Sequence, residues 1–181
     1  TLGLAHKTYL LPIAADERFA HLVRTPEPLL LVTVSRLIPV KRVDVLLSVF
    51  ACLKKARPEA RLVIVGDGPC RQAREQRAAS LGIASAVFFV GTADPAPWLA
   101  RAACFVLLSA HEGWGIAAVE AALARVPVVM SQTGCAEWLA FHGAASVIPI
   151  ESIRHPSSKT INEIVAQITA MFDHPFSFAD P

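Results

Sequence analysis

Two glutamates eight positions apart bracket the stretch HEGWGIAAVE at residues 111–120, with Glu112 ahead of a Gly113-Trp114-Gly115 step and Glu120 inside the apolar run that follows. The glycines leave backbone N–H groups open, and Ile116–Leu123 reads as the start of a helix. Unpaired amides and the macrodipole at a helix N-terminus both favour a bound anion. On one continuous helix the two carboxylates would lie roughly 12 Å apart along the axis. That layout suits a ligand with hydroxyl-bearing groups at both ends and phosphates between them. A nucleotide-sugar is such a ligand.

Strands and helices must alternate to hold these groups. The runs at 29–35, 61–65, 86–90, 104–108, 127–130 and 145–149 are short, β-branched and continuously apolar, which predicts strands covered on both faces. Between them, Val43, Leu46, Leu47, Phe50 and Leu53 recur at helical spacing. A polar helix is expected over Arg71–Leu81 with Gly82 beyond it, and short helices near 97–102 and before Phe141. A final amphipathic helix carries Ile161, Ile164, Val165, Ile168 and Met171. The alternation predicts an α/β fold with a doubly wound, Rossmann-like parallel sheet, whose ligands lie at the carboxyl ends of strands. Arg36, Gly66, Gly91, Ser109 and Gly134 all fall just past predicted strand ends. Residues 1–28, with Leu10-Leu11-Pro12 feeding Asp16-Glu17-Arg18-Phe19, read as an entering or interdomain segment. Residues 29–175 form the domain, and 176–181 a tail.

The chain has 181 residues, 54% of them hydrophobic, enough for a buried core in one domain. A net charge of +2 gives no case for nucleic acid or an anionic membrane surface. Cys52, Cys70, Cys104 and Cys135 lie far apart without a CxxC pair and read as buried thiols, in keeping with a reducing cytosol. No secretory leader and no apolar run of ~18 residues is evident, so a cytoplasmic location is expected, at most peripheral to the inner face of the membrane.

With the elements placed, the chain resembles the C-terminal, donor-binding domain of a family 4 (group 1) retaining glycosyltransferase with the two-domain GT-B fold. The resemblance covers roughly Tyr9 to Pro175. Its segments run in order: SRLIPVKRVD at 35–44, LVIVGDGP at 62–69, FFVGT at 88–92, SAHEGWGIAAVEAAL at 109–123, VPVVMSQTGCAE at 126–137, and a closing Phe172-Asp173-His174-Pro175.

The resemblance implies roles residue by residue. Arg36 and Lys41 match the basic pair for the donor diphosphate, Arg as a forked donor set and Lys as a point charge. Taken alone they would read as a surface pair at a helix entry. Glu112 matches the first glutamate of the family's E-x7-E motif and would orient sugar hydroxyls and stabilise positive charge at the anomeric carbon. Glu120 matches the second and would accept hydrogen bonds from the ribose. The amides of Gly113, Trp114 and Gly115 would complete the phosphate cradle, with Trp114 reading equally as a packing residue. Gly66 and Gly91 sit in donor-side loops, and Thr92 to Ala96 would meet the base through main-chain groups. His111 matches no catalytic position and reads as packing. Two departures stand out: Arg125 where the family ends this helix with glycine, which implies a different helix end, and Cys104 where it favours an acid.

The implied reaction is transfer of a glycosyl group from a nucleotide-diphospho-sugar to an acceptor hydroxyl with retention. Glu112, Arg36 and Lys41 would carry the chemistry, without cofactor or metal. An N-terminal acceptor domain, in cis or as a separate chain, is the expected partner; any membrane contact would be made through it. The chain by itself is expected to bind nucleotide weakly and transfer almost no sugar. Other classes fare worse. Gly66-Asp67-Gly68 begins a dinucleotide fingerprint, but its third glycine position is Arg71. Paired glycosidase carboxylates stand ~5–9.5 Å apart. The open alternatives are a GT-B-like nucleotide-sugar epimerase and a non-catalytic nucleotide-sugar-binding subunit.

Overall fold

In the computed structural model, residues 15–173 are described. Leu10-Leu11-Pro12, the closing His174-Pro175 and the tail at 176–181 lie outside the described residues. Six strands form one parallel sheet: β1 (Leu30–Val34), β2 (Arg61–Val65), β3 (Val87–Gly91), β4 (Cys104–Leu107), β5 (Val128–Ser131) and β6 (Ala145–Ile148). Their spatial order is β3-β2-β1-β4-β5-β6. This is the doubly wound order, in which chain direction across the sheet reverses between β1 and β4.

The helices are α1 (Val43–Ala56), α2 (Arg71–Ser80), α3 (Ala96–Arg101), α4 (Ile116–Leu123), α5 (Ala136–Phe141), α6 (Ile150–Arg154) and α7 (Ser158–Asp173). Alternate strand residues feed two cores. Leu31, Leu62, Ile64 and Val106 meet α1 and α7 on one face, while Val32, Val63, Phe105 and Met130 meet α3, α4 and α5 on the other. β1, β4 and β5 are buried nearly throughout, as their unbroken apolar runs predict. The edge strand β3 is only partly covered, and Phe88 is exposed. α1 buries Val43, Leu46, Leu47, Phe50 and Leu53, one apolar stripe at helical spacing.

Several local features differ from the sequence reading. Short 3-10 turns at Glu17–His21, Pro39–Lys41 and Ala84–Ala86, and the helix α6, lack an apolar repeat long enough to announce them. Phe19, in the segment read as an entering linker, is buried in the core beneath α4. Only Cys104 and Cys135 are buried; Cys52, on α1, and Cys70, the N-cap of α2, are partly exposed. Cys104 is fully enclosed by apolar side chains, so burial pushes its thiol pKa up, and an acid there would be an unpaired buried charge.

The helix end at Arg125 also corrects an expectation. α4 closes as a glycine-terminated helix would, with Arg125 itself in the left-handed region at φ 56°. Its N–H donates to the Ala122 carbonyl at 2.8 Å, and that of Val126 to Ala121 at 2.9 Å, the paired bonds of a Schellman cap. The Arg24 guanidinium donates to the Arg125 carbonyl from outside the helix. The cap geometry is imposed by the turn into β5, at the cost of backbone strain at a residue with a Cβ.

Candidate functional site

The loops leaving β1, β2 and β3 are sewn together by main-chain bonds. Leu37 N–H donates to the Asp67 carbonyl at 2.8 Å, Cys70 N–H to Leu37 at 3.0 Å, and Gly66 N–H to Gly91 at 2.7 Å. Gly66 must be glycine: a Cβ there would stand 2.0 Å from the Ser35 carbonyl oxygen. Between these loops lies a cleft of about 400 Å³ lined by Ser35, Arg36, Gly66, Asp67, Thr92 and Ala93. Arg36 and Thr92 are exposed there. Ser35 Oγ is buried with no hydrogen-bond partner among the described residues, a polar atom the sequence reading passed over. Arg71, at the missing fingerprint glycine, instead ties α2 to the loops: it donates to Asp67 at 3.2 Å and to the Phe89 carbonyl at 2.9 Å.

At the reversal point, the loop after β1 meets the loop after β4. Ala110 N–H donates to the Val40 carbonyl at 2.7 Å, which brings Lys41 beside Glu112. Lys41 Nζ then donates to both carboxylate oxygens of Glu112 at 2.7 Å. The Glu112 side chain is only 8% exposed, so an unpaired carboxylate would be costly and the ammonium offsets that cost. Glu112 Oε1 accepts a further bond from Ser109 Oγ at 2.5 Å.

α4 begins only at Ile116, with Gly115 as its N-cap in the left-handed region at φ 88°. Glu112 therefore stands in the preceding loop, and the axial spacing of a continuous helix does not apply to it. Among the described residues, the N–H groups of Gly113, Trp114 and Gly115 make no backbone hydrogen bond. Gly134, at φ 56°, packs beneath this loop, where a Cβ would come 2.3 Å from the Trp114 carbonyl oxygen and 3.0 Å from Glu112 Cβ. Cys135 follows it, donating its N–H to the Trp114 carbonyl at 2.7 Å. Burial, with the Glu112 charge adding, pushes its thiol pKa up to about 11. Trp114 also tilts against Trp138 at 6.5 Å between ring centroids, so it does pack. His111 is exposed rather than packed.

Glu120 occupies a different neighbourhood from Glu112. It is half-buried on α4 beside the 3-10 turn at Glu17–His21, within electrostatic reach of Arg18, Asp16 and Asp94. Burial raises its pKa, opposed by Arg18 and reinforced by the two aspartates. Arg18 is itself gripped by Asp94 through bonds of 2.9 and 3.2 Å. Among the described residues, no group of three or more His, Cys, Asp or Glu could hold a metal ion, and no helix is long and apolar enough to cross a membrane. A second groove, lined by Leu29, Pro127, Met171 and Phe172, lies at the amino ends of the strands, away from all these groups.

Residues 15–165 match the family profile described as glycosyl transferases group 1. The chain belongs to this family. It is 33% identical over 139 residues to a GDP-mannose-dependent alpha-(1-6)-phosphatidylinositol dimannoside mannosyltransferase of Mycobacterium tuberculosis, a match spanning 71% of this chain and 36% of the relative. It is 30% identical over 140 residues to the glycosyltransferase YqgM of Bacillus subtilis, spanning 76% of this chain and 39% of that protein. Its fold superposes on the pneumococcal O-GlcNAc transferase GtfA, solved with UDP and GlcNAc, with a TM-score of 0.74 at 21% identity, covering 82% of this chain and 29% of GtfA. The chain thus spans well under half the length of each of these proteins. Its sheet is the Rossmann-like one expected for the C-terminal half of a GT-B glycosyltransferase.

Proposed function

We propose that this group 1 glycosyltransferase chain binds a nucleotide-diphospho-sugar and supports transfer of its glycosyl group to an acceptor hydroxyl with retention. The observation that carries the reading is the Lys41–Glu112 pair at the point where the sheet reverses direction. There a cation and an acid meet beside amides that make no backbone hydrogen bond among the described residues, and ligands of doubly wound sheets bind at such points. The UDP and GlcNAc bound by the pneumococcal relative belong to the same ligand class.

In this reading Arg36, exposed at the cleft, and Lys41 engage the diphosphate. An ammonium has three donors, so Lys41 can hold Glu112 and a phosphate oxygen together. The amides of Gly113 to Gly115 point the positive end of α4 at the same anion. Glu112 faces the sugar, Glu120 the ribose, and the Thr92 to Ala96 loop the base. As the bond to the sugar lengthens, negative charge grows on the leaving phosphate and positive charge on the anomeric carbon. The fixed cations stabilise the first and Glu112 the second. No divalent ion is needed for that charge balance. The acceptor half, in cis or on a partner chain, completes the reaction.

Calorimetric titration with UDP, GDP and ADP, each with and without EDTA, tests the proposal. Saturable binding of one nucleotide, unaltered by the chelator and weakened by tenfold or more in the Arg36→Ala variant, is expected. Absence of binding to all three would sink it.

A further inference from the structure

Ser109 and Ser131 form a buried polar step behind Glu112 that no catalytic role yet accounts for. Both are fully buried. Ser131, the last residue of β5, donates its hydroxyl to the Ser109 carbonyl at 2.5 Å. Ser109, two residues beyond β4, donates its own hydroxyl to Glu112 Oε1 at 2.5 Å. Buried hydroxyls are costly unless bonded; here Ser131 Oγ holds the Ser109 main-chain carbonyl while Ser109 Oγ separately holds the carboxylate. Glu112 is thereby anchored to two neighbouring strand ends, while the loop that carries it contains glycines and would otherwise give.

The acceptor positions on Glu112 show what this anchoring leaves open. A carboxylate offers about four lone-pair positions. Among the described residues, Oε1 accepts from both Ser109 and Lys41, whereas Oε2 accepts from Lys41 alone. We propose that the Ser131–Ser109 step fixes the rotation of Glu112 so that Oε2 is the oxygen presented to a hydroxyl of the donor sugar. Ser109 is then a positioning residue for sugar recognition. The inference rests on the donor-binding reading above and deepens it: the sugar is read by one acceptor oxygen of set orientation.

The test compares nucleoside diphosphates with their sugar conjugates: UDP with UDP-glucose, GDP with GDP-mannose and ADP with ADP-glucose, titrated into the unsubstituted chain, Ser109→Ala and Ser131→Ala. In the unsubstituted chain the sugar strengthens binding of the preferred nucleotide. Ser109→Ala is expected to cut that gain by about tenfold, the scale of one lost hydrogen bond to a charged group, while affinity for the bare diphosphate stays within about twofold. Ser131→Ala, one bond further back, should move in the same direction by less, and it carries the test if Ser109→Ala fails to fold. An undiminished sugar gain, or an equal loss for diphosphate and conjugate, overturns the positioning role. Diphosphate binding without any sugar gain in the unsubstituted chain also overturns it while leaving the phosphate site standing. No nucleotide binding at all is a failure of the donor reading itself.

Discussion

Lys41 Nζ lies 2.7 Å from both carboxylate oxygens of Glu112, although 71 residues of chain separate the two. The pair closes the seam between the loops after β1 and β4, and both members are largely removed from water, at 20% and 8% side-chain exposure. Its loss should therefore be felt in stability as well as in binding. Lys41→Ala is expected to destabilise the chain by about 1–3 kcal/mol, between the values typical of exposed and fully buried pairs. Urea denaturation measures this, and Glu112→Gln in the same background should recover part of the loss by removing the stranded charge.

Arg36 should behave differently. Its side chain is exposed at the cleft. Arg36→Ala is expected to leave the unfolding free energy within about 0.5 kcal/mol of the parent, as a surface substitution does. Diphosphate affinity should drop by tenfold or more. A comparable stability loss in both variants would show that Arg36 has a structural duty instead.

Glu120 sets a pH dependence. Burial raises its pKa in the folded chain above the unfolded value near ~4.3. The folded state then binds more protons than the unfolded one across that interval, so this residue's contribution to stability is present at low pH and is lost as pH rises through the folded value. Glu120→Gln should accordingly raise the melting temperature at neutral pH and flatten its dependence through the carboxylate range. The same variant should weaken nucleotide binding if the carboxylate serves the ribose.

Gly134 tests the loop's seat. A methyl group would meet the Trp114 carbonyl oxygen at 2.3 Å on a backbone already at φ 56°. Gly134→Ala must push the Glu112 loop outward, at a cost of about 1–3 kcal/mol. Tryptophan fluorescence should shift as the Trp114–Trp138 contact opens, and nucleotide affinity should fall. An unchanged spectrum would mean that the loop does not rest on this glycine.

Phe50 serves as the control far from the chemistry. It is fully buried on α1 between the sheet and α7. Phe50→Ala is expected to cost about 3–5 kcal/mol by chemical denaturation, with nucleotide affinity retained below the transition.

Much of this was legible in the sequence because it is local. Unbroken apolar runs of four or five residues require cover on both faces, and helical spacing at Val43 to Leu53 names the covering stripe. Their alternation requires crossovers, hence parallel strands with loops such as those of Arg36, Gly66 and Glu112 at one end. Group membership was readable for the same reason, since ordered segments along the chain need no knowledge of which strands touch. The expected doubly wound sheet already put β1 beside β4, but did not say which side chains meet across that seam. Strand order is settled by how both faces are covered at once, and every cross-chain relationship depends on it. Lys41 therefore meets Glu112, Ser131 braces Ser109, and Glu120 lies within electrostatic reach of Arg18, Asp16 and Asp94. The left-handed Arg125 and the loop that holds Glu112 outside α4 belong to the same class: the backbone there obeys where the next strand must begin, and no short window of residues contains that constraint.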